Sequence, residues 1–239
     1  MIVTIHQPEH LPWLGFFDKV RQADMFVMLD HVQFRKNYYQ NRNRIRSADG
    51  AIWMTVPVLT KGHSSQAINQ ILINNQGSPR WREKCWTSLV QCYRNAPYWS
   101  SYGAEFERLY QKTWTRLVEL NEAVIRFLLD ALSIKTRIIK SSEVNTEGNR
   151  GDLVLNICRQ VNADIYLSGV SGKEYLSYEK FAAAGIQLQF QQFHHPIYRQ
   201  LYEPFIPCLS VIDLLFNYGS VSMDVLRGIG VPTMKHVFE

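Results

Sequence analysis

Residues Met25–Leu29 form an unbroken apolar run, with no polar residue at alternate positions. A run this short and uniformly apolar reads as a strand buried on both faces, which belongs inside a sheet covered by other layers. Its surroundings agree. Ile2–His6 alternates β-branched residues and closes at Gln7-Pro8, the pattern of a short strand entering a turn. Trp13–Ala23 carries Leu14, Phe17, Val20 and Arg21 at helical spacing, with Pro12 at or before its first turn. Strand, helix and strand in this order make a βαβ unit.

The same rhythm returns late in the chain. Thr136–Lys140 reads as a strand, Gly151–Val161 as a helix, Asp164–Ser168 as a strand, Glu174–Ala184 as a helix ended by Gly185, and Ile186–Phe193 as a strand. Between the two βαβ regions, Ile52–Val58 and Ile68–Ile73 read as strands bracketing the polar Lys61–Gln66 loop. From Pro79 the pattern turns helical, over Arg80–Tyr93, Tyr102–Lys112 and Thr115–Leu132. Ser210–Tyr218 and Met223–Gly228 read as short helices before a loose end. The expected fold is α/β: a Rossmann-like, mostly parallel sheet with helices on both faces. Residues 1–239 are read as a single domain, with a hairpin and helical insertion at about 50–133.

Composition excludes whole classes. With 46% hydrophobic and 13% aromatic residues, the chain buries enough apolar surface to offset the entropy of ordering. Its most apolar stretch, Ala123–Leu132, is broken by Arg126 and Asp130, well short of the ~20 residues a bilayer needs. Cys85, Cys92, Cys158 and Cys208 show neither C-x-x-C spacing nor scaffold-like density. With an N-terminus that enters a strand directly, they read as reduced thiols of a cytoplasmic protein.

The net charge of +5 is localised. No Asp or Glu occurs from His31 to Ala48, where Arg35, Lys36, Arg42, Arg44 and Arg46 lie; the remaining 21 basic side chains match the 21 acidic ones. Four segments carry candidate chemistry. His6-Gln7-Pro8-Glu9-His10 follows the first strand, at the sheet edge where open α/β folds bind ligands, and offers His6 as general base, His10 as a second catalytic candidate and Gln7 as a binding candidate. His6 and His10 have a metal-like helical spacing, but Pro8 and Pro12 make this a loop, and no metal ligand set is read. The second segment, Asp30–Arg46, begins after the second strand. Asp30 is a catalytic candidate there, with Gln33, Lys36, Asn41, Arg42, Asn43 and Arg44 as binding candidates. If extended, Asn41-Arg42-Asn43-Arg44 sends its amides one way and its guanidinium groups the other, the latter suited to phosphate or carboxylate and the former to sugar hydroxyls. The third segment runs from Ser168 and Gly169 through Ser171, Gly172 and Lys173 to Tyr175. It joins a strand to a helix, with glycines that let backbone approach an anion, although its G-x-x-G-K spacing is not a Walker loop. In the fourth, His194-His195 and Cys208 leave a Cys–His pair open, and Asp213 is either a helix-capping or a substrate-binding residue.

In order along the chain, His6-Gln7-Pro8, Leu11–Lys19, Ala23-Asp24, Leu29–Phe34, Asn41–Arg44, Thr55–Val58, Ser141–Glu143, Tyr166–Gly169, Ser171–Lys173, Tyr175-Leu176, Pro196–Tyr198, and Ser210 with Asp213–Leu215 resemble the WbqC-like family nearly end to end. That resemblance implies bacterial enzymes of surface-polysaccharide (O-antigen, lipopolysaccharide) and natural-product pathways. It also implies a transferase that moves an aminoacyl or acyl group onto an amino sugar. A fainter similarity to nucleotidylyltransferase-like enzymes implies use of ATP, but His10-Leu11-Pro12-Trp13 lacks the glycine and second histidine of their H-x-G-H loop.

The resulting expectation is an enzyme acting on a small anionic or nucleotide-linked substrate. Its cofactor is unassigned, with a nucleotide or an activated acyl donor as the classes in view. A carrier protein or pathway enzymes are compatible partners. Phe34–Arg44 interleaves aromatics with cations in a way that suits unpaired bases, but the balanced charge elsewhere argues against nucleic acid as the partner.

Overall fold

Short β-branched and apolar runs become the inner strands of a parallel sheet. In the computed structural model, which describes residues 1–60, 65–77, 80–144 and 146–230, the chain divides into two compact units. The first comprises Met1–Gln7, Gly15–His31 and Ile134–Phe193; the second comprises Pro8–Leu14, Val32–Ser133 and His194–Glu239.

The first unit is built on β1 (Ile2–His6), β2 (Met25–Met28), β5 (Arg137–Lys140), β6 (Ile165–Ser168) and β7 (Gln187–Phe190). All are parallel, in the order β5-β2-β1-β6-β7. Every residue of β2 is buried, as its unbroken apolar run requires. α1 (Leu14–Arg21) links β1 to β2, α5 (Arg150–Gln160) links β5 to β6, and α6 (Tyr178–Ala183) links β6 to β7. Because the order reverses at β1, right-handed crossovers put α1 on the face opposite α5 and α6. Phe16 of α1 packs edge-on against Phe26, and Tyr166 stacks on Phe181. This is the Rossmann-like α/β arrangement that the alternating pattern predicts.

One helix is shorter than expected. Residues 170–174 tighten into a 3-10 turn, and α6 starts only at Tyr178, where Ser177 supplies the N-cap. Gly172 explains the tight turn: a Cβ there would lie 2.1 Å from the Ser168 hydroxyl oxygen.

The second unit holds the hairpin β3 (Arg42–Ser47) and β4 (Gly50–Thr55). It also holds α2 (Trp81–Tyr93), α3 (Trp99–Gln111), α4 (Leu117–Ala131), α7 (Val211–Tyr218) and α8 (Ser222–Leu226). The hairpin is not the one expected. Ile68–Gln70 forms a 3-10 turn, and Val58 and Ile73 share a single bridge. Asn69 and Gln70 interrupt the apolar run, and Pro57 cannot donate to a ladder. Asp49-Gly50 is the turn signal behind the actual hairpin, with Gly50 at φ +132° and its carbonyl accepting from the Ser47 hydroxyl. Phe216 of α7 anchors this unit's core, with ring centres 4.9 Å from Tyr93, 5.2 Å from Trp99 and 5.5 Å from Phe106. The expected Lys61–Gln66 loop, the start at Pro79 and the loose end fall wholly or partly outside the described residues. Among the described residues, no helix is long and apolar enough to cross a membrane.

Candidate functional site

The strands of the first unit pair along their length, with one exception. β1 pairs with β2 from Val3 to His6, and β6 with β7 from Ile165 to Ser168. Between β1 and β6 the ladder stops after Ile2↔Ile165 and Val3↔Tyr166. This is where the strand order reverses, the position at which doubly wound sheets bind ligands. Side chains meet the carbonyls left beyond the ladder, as buried backbone groups demand. The Thr4 hydroxyl donates to Leu167 O (2.8 Å), and Lys19 Nζ donates to Ile5 O (3.1 Å).

Lys19, which closes the Leu11–Lys19 block, is the feature of this edge that was not among the candidate site residues. Its side chain is only 4% exposed, yet a Cβ on Gly169 would lie 3.9 Å from its ammonium nitrogen. The loop leaving β6 therefore passes beside a buried cation. His6, half-buried, ends β1 with its ring 5.1 Å from Phe16, and half-buried Gln7 follows it. Ser168 is buried and donates to its neighbour Gly169 O (3.1 Å). The Gly172 N–H closes the turn on Gly169 O, and the Tyr175 N–H closes on Gly172 O. Ser171, Lys173 and Tyr175 are exposed, with Lys173 Nζ 5.6 Å from the Phe190 ring centre. Because α6 begins after this loop, its dipole does not open at Glu174 as expected.

Asp30 follows β2 and is buried, with both carboxylate oxygens engaged. It accepts from the Ser141 hydroxyl (3.0 Å), the Ser142 N–H (2.9 Å) and the Ser142 hydroxyl (2.7 Å). The Ser141 oxygen in turn accepts from Asp30 N–H and pairs with His31 Nδ1. Asp30 thus fastens the loop after β5 to the end of β2. A similar polar hub lies at Asp18, which accepts from Arg21, Gln22 and Gln191.

In the second unit, His10 is fully buried. Its Nδ1–H donates to Asn121 Oδ1 (3.2 Å) and its Nε2 accepts from the Tyr110 hydroxyl (2.9 Å), while Asn121 donates to Pro8 O and Gln40 O. Burial pulls the imidazole pKa down to about 4, against a smaller opposing effect of Asn121. His10 is therefore a neutral structural hub at neutral pH.

The Asn41–Arg44 segment is extended, and its side chains alternate as the sequence predicts. Both asparagines turn inward: Asn41 donates to Val56 O (2.9 Å) and Asn43 to Leu11 O (2.7 Å). Arg42 and Arg44 remain half-buried, donating to Asn37 O (2.6 Å) and Cys208 O (3.4 Å). Gln33 and Lys36 are exposed.

Asp213 lies buried on α7, where Ser210 is the N-cap. Its two oxygens accept from the Tyr93 hydroxyl (3.0 Å) and the Tyr198 hydroxyl (2.9 Å). Burial pushes its pKa up to about 6, opposed by those hydroxyls and the charge of Arg46. His195 donates from Nδ1 to Pro196 O (2.8 Å) and accepts at Nε2 from the Cys208 backbone N–H (3.1 Å). Both ring nitrogens are thus occupied by backbone, and neither is a base for the exposed Cys208 thiol. Among the described residues, no three His, Cys, Asp or Glu side chains cluster as a metal ion requires.

Comparison with known proteins agrees with the motif blocks. The WbqC-like protein family matches residues 7–225. The uncharacterized protein Rv1507c of Mycobacterium tuberculosis (strain ATCC 25618 / H37Rv) is 31% identical over 227 residues, covering 94% of this chain and 97% of that protein. No solved structure matches. With most of its length matched by the family and by a relative of nearly the same extent, the chain belongs to the WbqC-like protein family.

Proposed function

We propose that the chain is a group-transfer enzyme, moving an aminoacyl or acyl group onto an amino sugar or related small molecule, with an anionic or nucleotide-linked substrate held at the carboxyl edge of its parallel sheet. The observation that carries this reading is the early end of the β1–β6 ladder, which opens the sheet at its switch point beside Lys19 and the Gly169 loop.

Each side chain there has a role that chemistry allows. The Lys19 ammonium attracts a phosphate or carboxylate approaching the loop. Lys173, exposed on the same loop, adds a second positive charge. His6 takes the proton from the acceptor amine as nitrogen attacks the acyl carbonyl; the bond from that carbonyl carbon to the donor's thiol or phosphate then breaks, and the leaving group departs with the bonding electron pair and takes up the proton from His6. Buried Ser168 and Gly172 keep the loop close to the strand ends. Family membership favours the sugar-linked version, because it brings surface-polysaccharide and natural-product pathways into view.

Thermal unfolding of the full chain with nucleotides, sugar nucleotides and acyl-CoA compounds tests the reading. A ligand at a hundred times its Kd adds about 2.7 kcal/mol of stability. The stabilisation should disappear in Lys19→Met and persist in Lys36→Ala. Silence across the whole panel, or an equal response in Lys19→Met, refutes it. ATP belongs in the panel, since pyrophosphate release from ATP would favour the nucleotidylyltransferase-like reading that the same strand order supports.

A further inference from the structure

The hairpin of the second unit carries a separate arrangement of charge and aromatic surface. Across β3 and β4, Arg42 faces Thr55, Arg44 faces Trp53 and Arg46 faces Ala51, so all six side chains leave the same face of the ribbon. The opposite face holds buried Asn43, Ile45 and Met54. One arginine is drawn inside: Arg46 is buried, donating to Ser47 O and Pro204 O. The other two remain at the surface around an indole. Arg42 and Arg44 place their guanidinium carbons 4.4 and 6.0 Å from the Trp53 ring centre, and the Tyr39 ring centre is 6.2 Å away.

Three features set this face apart from ordinary solvated surface. Trp53 is 47% exposed, a large apolar area left in water. Neither Arg42 nor Arg44 forms an ion pair among the described residues, and residues 31–48 contain no acidic side chain to supply one. Each donates through one Nη to a backbone carbonyl, and among the described residues its other Nη has no hydrogen-bond partner. Trp53 also walls a cavity of about 320 Å³, lined further by Thr55, Trp81, Lys84, Cys85 and Ser88. Exposed Lys84 adds a further cation without an ion pair among the described residues.

We propose that this hairpin face and its adjoining cavity form a second ligand site, for a ring compound carrying a phosphate: the phosphate on Arg42 and Arg44, the ring against Trp53. Pre-held guanidinium groups suit phosphate oxygens. An indole face suits a sugar or base ring, which has a flat apolar side and a polar edge. The cavity is at the lower end of small-ligand pockets, about 300–1,000 Å³, and so matches one sugar or nucleoside rather than a polymer. Thr55 and Ser88 supply hydroxyl partners at the lining. This site stands independently of the sheet-edge reading, since every residue in it belongs to the second unit.

The test is a titration of the full chain, followed by tryptophan fluorescence and calorimetry, with glucose 1-phosphate, uridine 5′-monophosphate and inorganic phosphate as separate probes. A phosphorylated ring should bind more tightly than inorganic phosphate, and added salt should weaken it. Arg42→Ala/Arg44→Ala should weaken it at least about tenfold, as expected for losing charge-assisted contacts. Trp53→Phe should abolish most of the fluorescence response, and Lys19→Met should leave the affinity unchanged. Whichever phosphorylated ring binds better identifies the class as sugar phosphate or nucleotide. Binding of inorganic phosphate as tight as either ring, retention of affinity in the double variant, or no binding of any probe overturns the proposal. So does tight binding of single-stranded RNA in the absence of any small-ligand binding. If the double variant fails to fold, Arg42→Gln/Arg44→Gln and the salt dependence of the unaltered chain decide the outcome.

Discussion

His10 offers a prediction whose size comes directly from its surroundings. Its two ring nitrogens are matched to Asn121 and Tyr110 in the neutral form, and burial lowers its pKa from 6.5 to about 4. The native state therefore resists taking up a proton that the unfolded chain accepts. Stability from this group is complete above the unfolded pKa and is lost as pH falls from about 6.5 towards 4. With one pKa unit worth 1.36 kcal/mol, the loss between about pH 8 and pH 4.5 is about 2.5 kcal/mol from His10 alone. The perturbation is His10→Gln, whose amide can still donate to Asn121 and accept from Tyr110 but does not titrate in this range. Urea unfolding of both proteins across that range gives two curves of stability against pH. Their difference isolates His10, because every other titrating group is common to both. The variant should start less stable at pH 8 and close the gap by about 2.5 kcal/mol at pH 4.5. Parallel curves, or a His10 imidazole found by NMR to titrate near 6.5, would refute the buried neutral hub.

Asp213 should show the opposite pH sign. Its folded pKa is pushed up to about 6 from 3.8, so the wild type loses stability as pH rises from about 4 through 6. Asp213→Asn should be spared up to about 3 kcal/mol of that loss, and a constant difference in urea unfolding across the range would contradict it. Gly172→Ala should cost about 1–3 kcal/mol by overpacking. A Cβ there meets the Ser168 hydroxyl oxygen at 2.1 Å and Leu176 Cδ1 at 2.8 Å; an unchanged urea midpoint would show that the loop simply relaxes.

What the sequence made legible follows from local physics. Buried parallel strands need uniformly apolar runs, and crossover helices need a stripe of apolar residues, so β1, α1, β2, β5, α5 and β6 were readable within a residue or two, while β7 ends three residues before the expected Phe193. The β3–β4 hairpin was harder, because Arg42–Ser47 is polar and its strand character comes from pairing with β4 rather than from apolar alternation. The Asp49-Gly50 turn was its local signal. Helix α6 was overextended for a related reason: the 3-10 turn at 170–174 depends on how closely Gly172 approaches Ser168, which helical spacing does not encode.

The sequence by itself determined the α/β class, family membership through its ordered motif blocks, and the confinement of excess charge to residues 35–46. Only tertiary structure decided what the charged and polar groups do. Arg46 is buried while Arg42 and Arg44 remain at the surface. Asn41 and Asn43 brace backbone, Asp30 holds a loop, and His10 is sealed in a polar core. Lys19, not a candidate site residue in the sequence, lies beside the loop leaving β6. The physical reason is separation along the chain. Asn121 lies 111 residues from His10, and Asp213 lies 120 from Tyr93. A side chain's role depends on partners brought to it by the fold, and no local spacing records them.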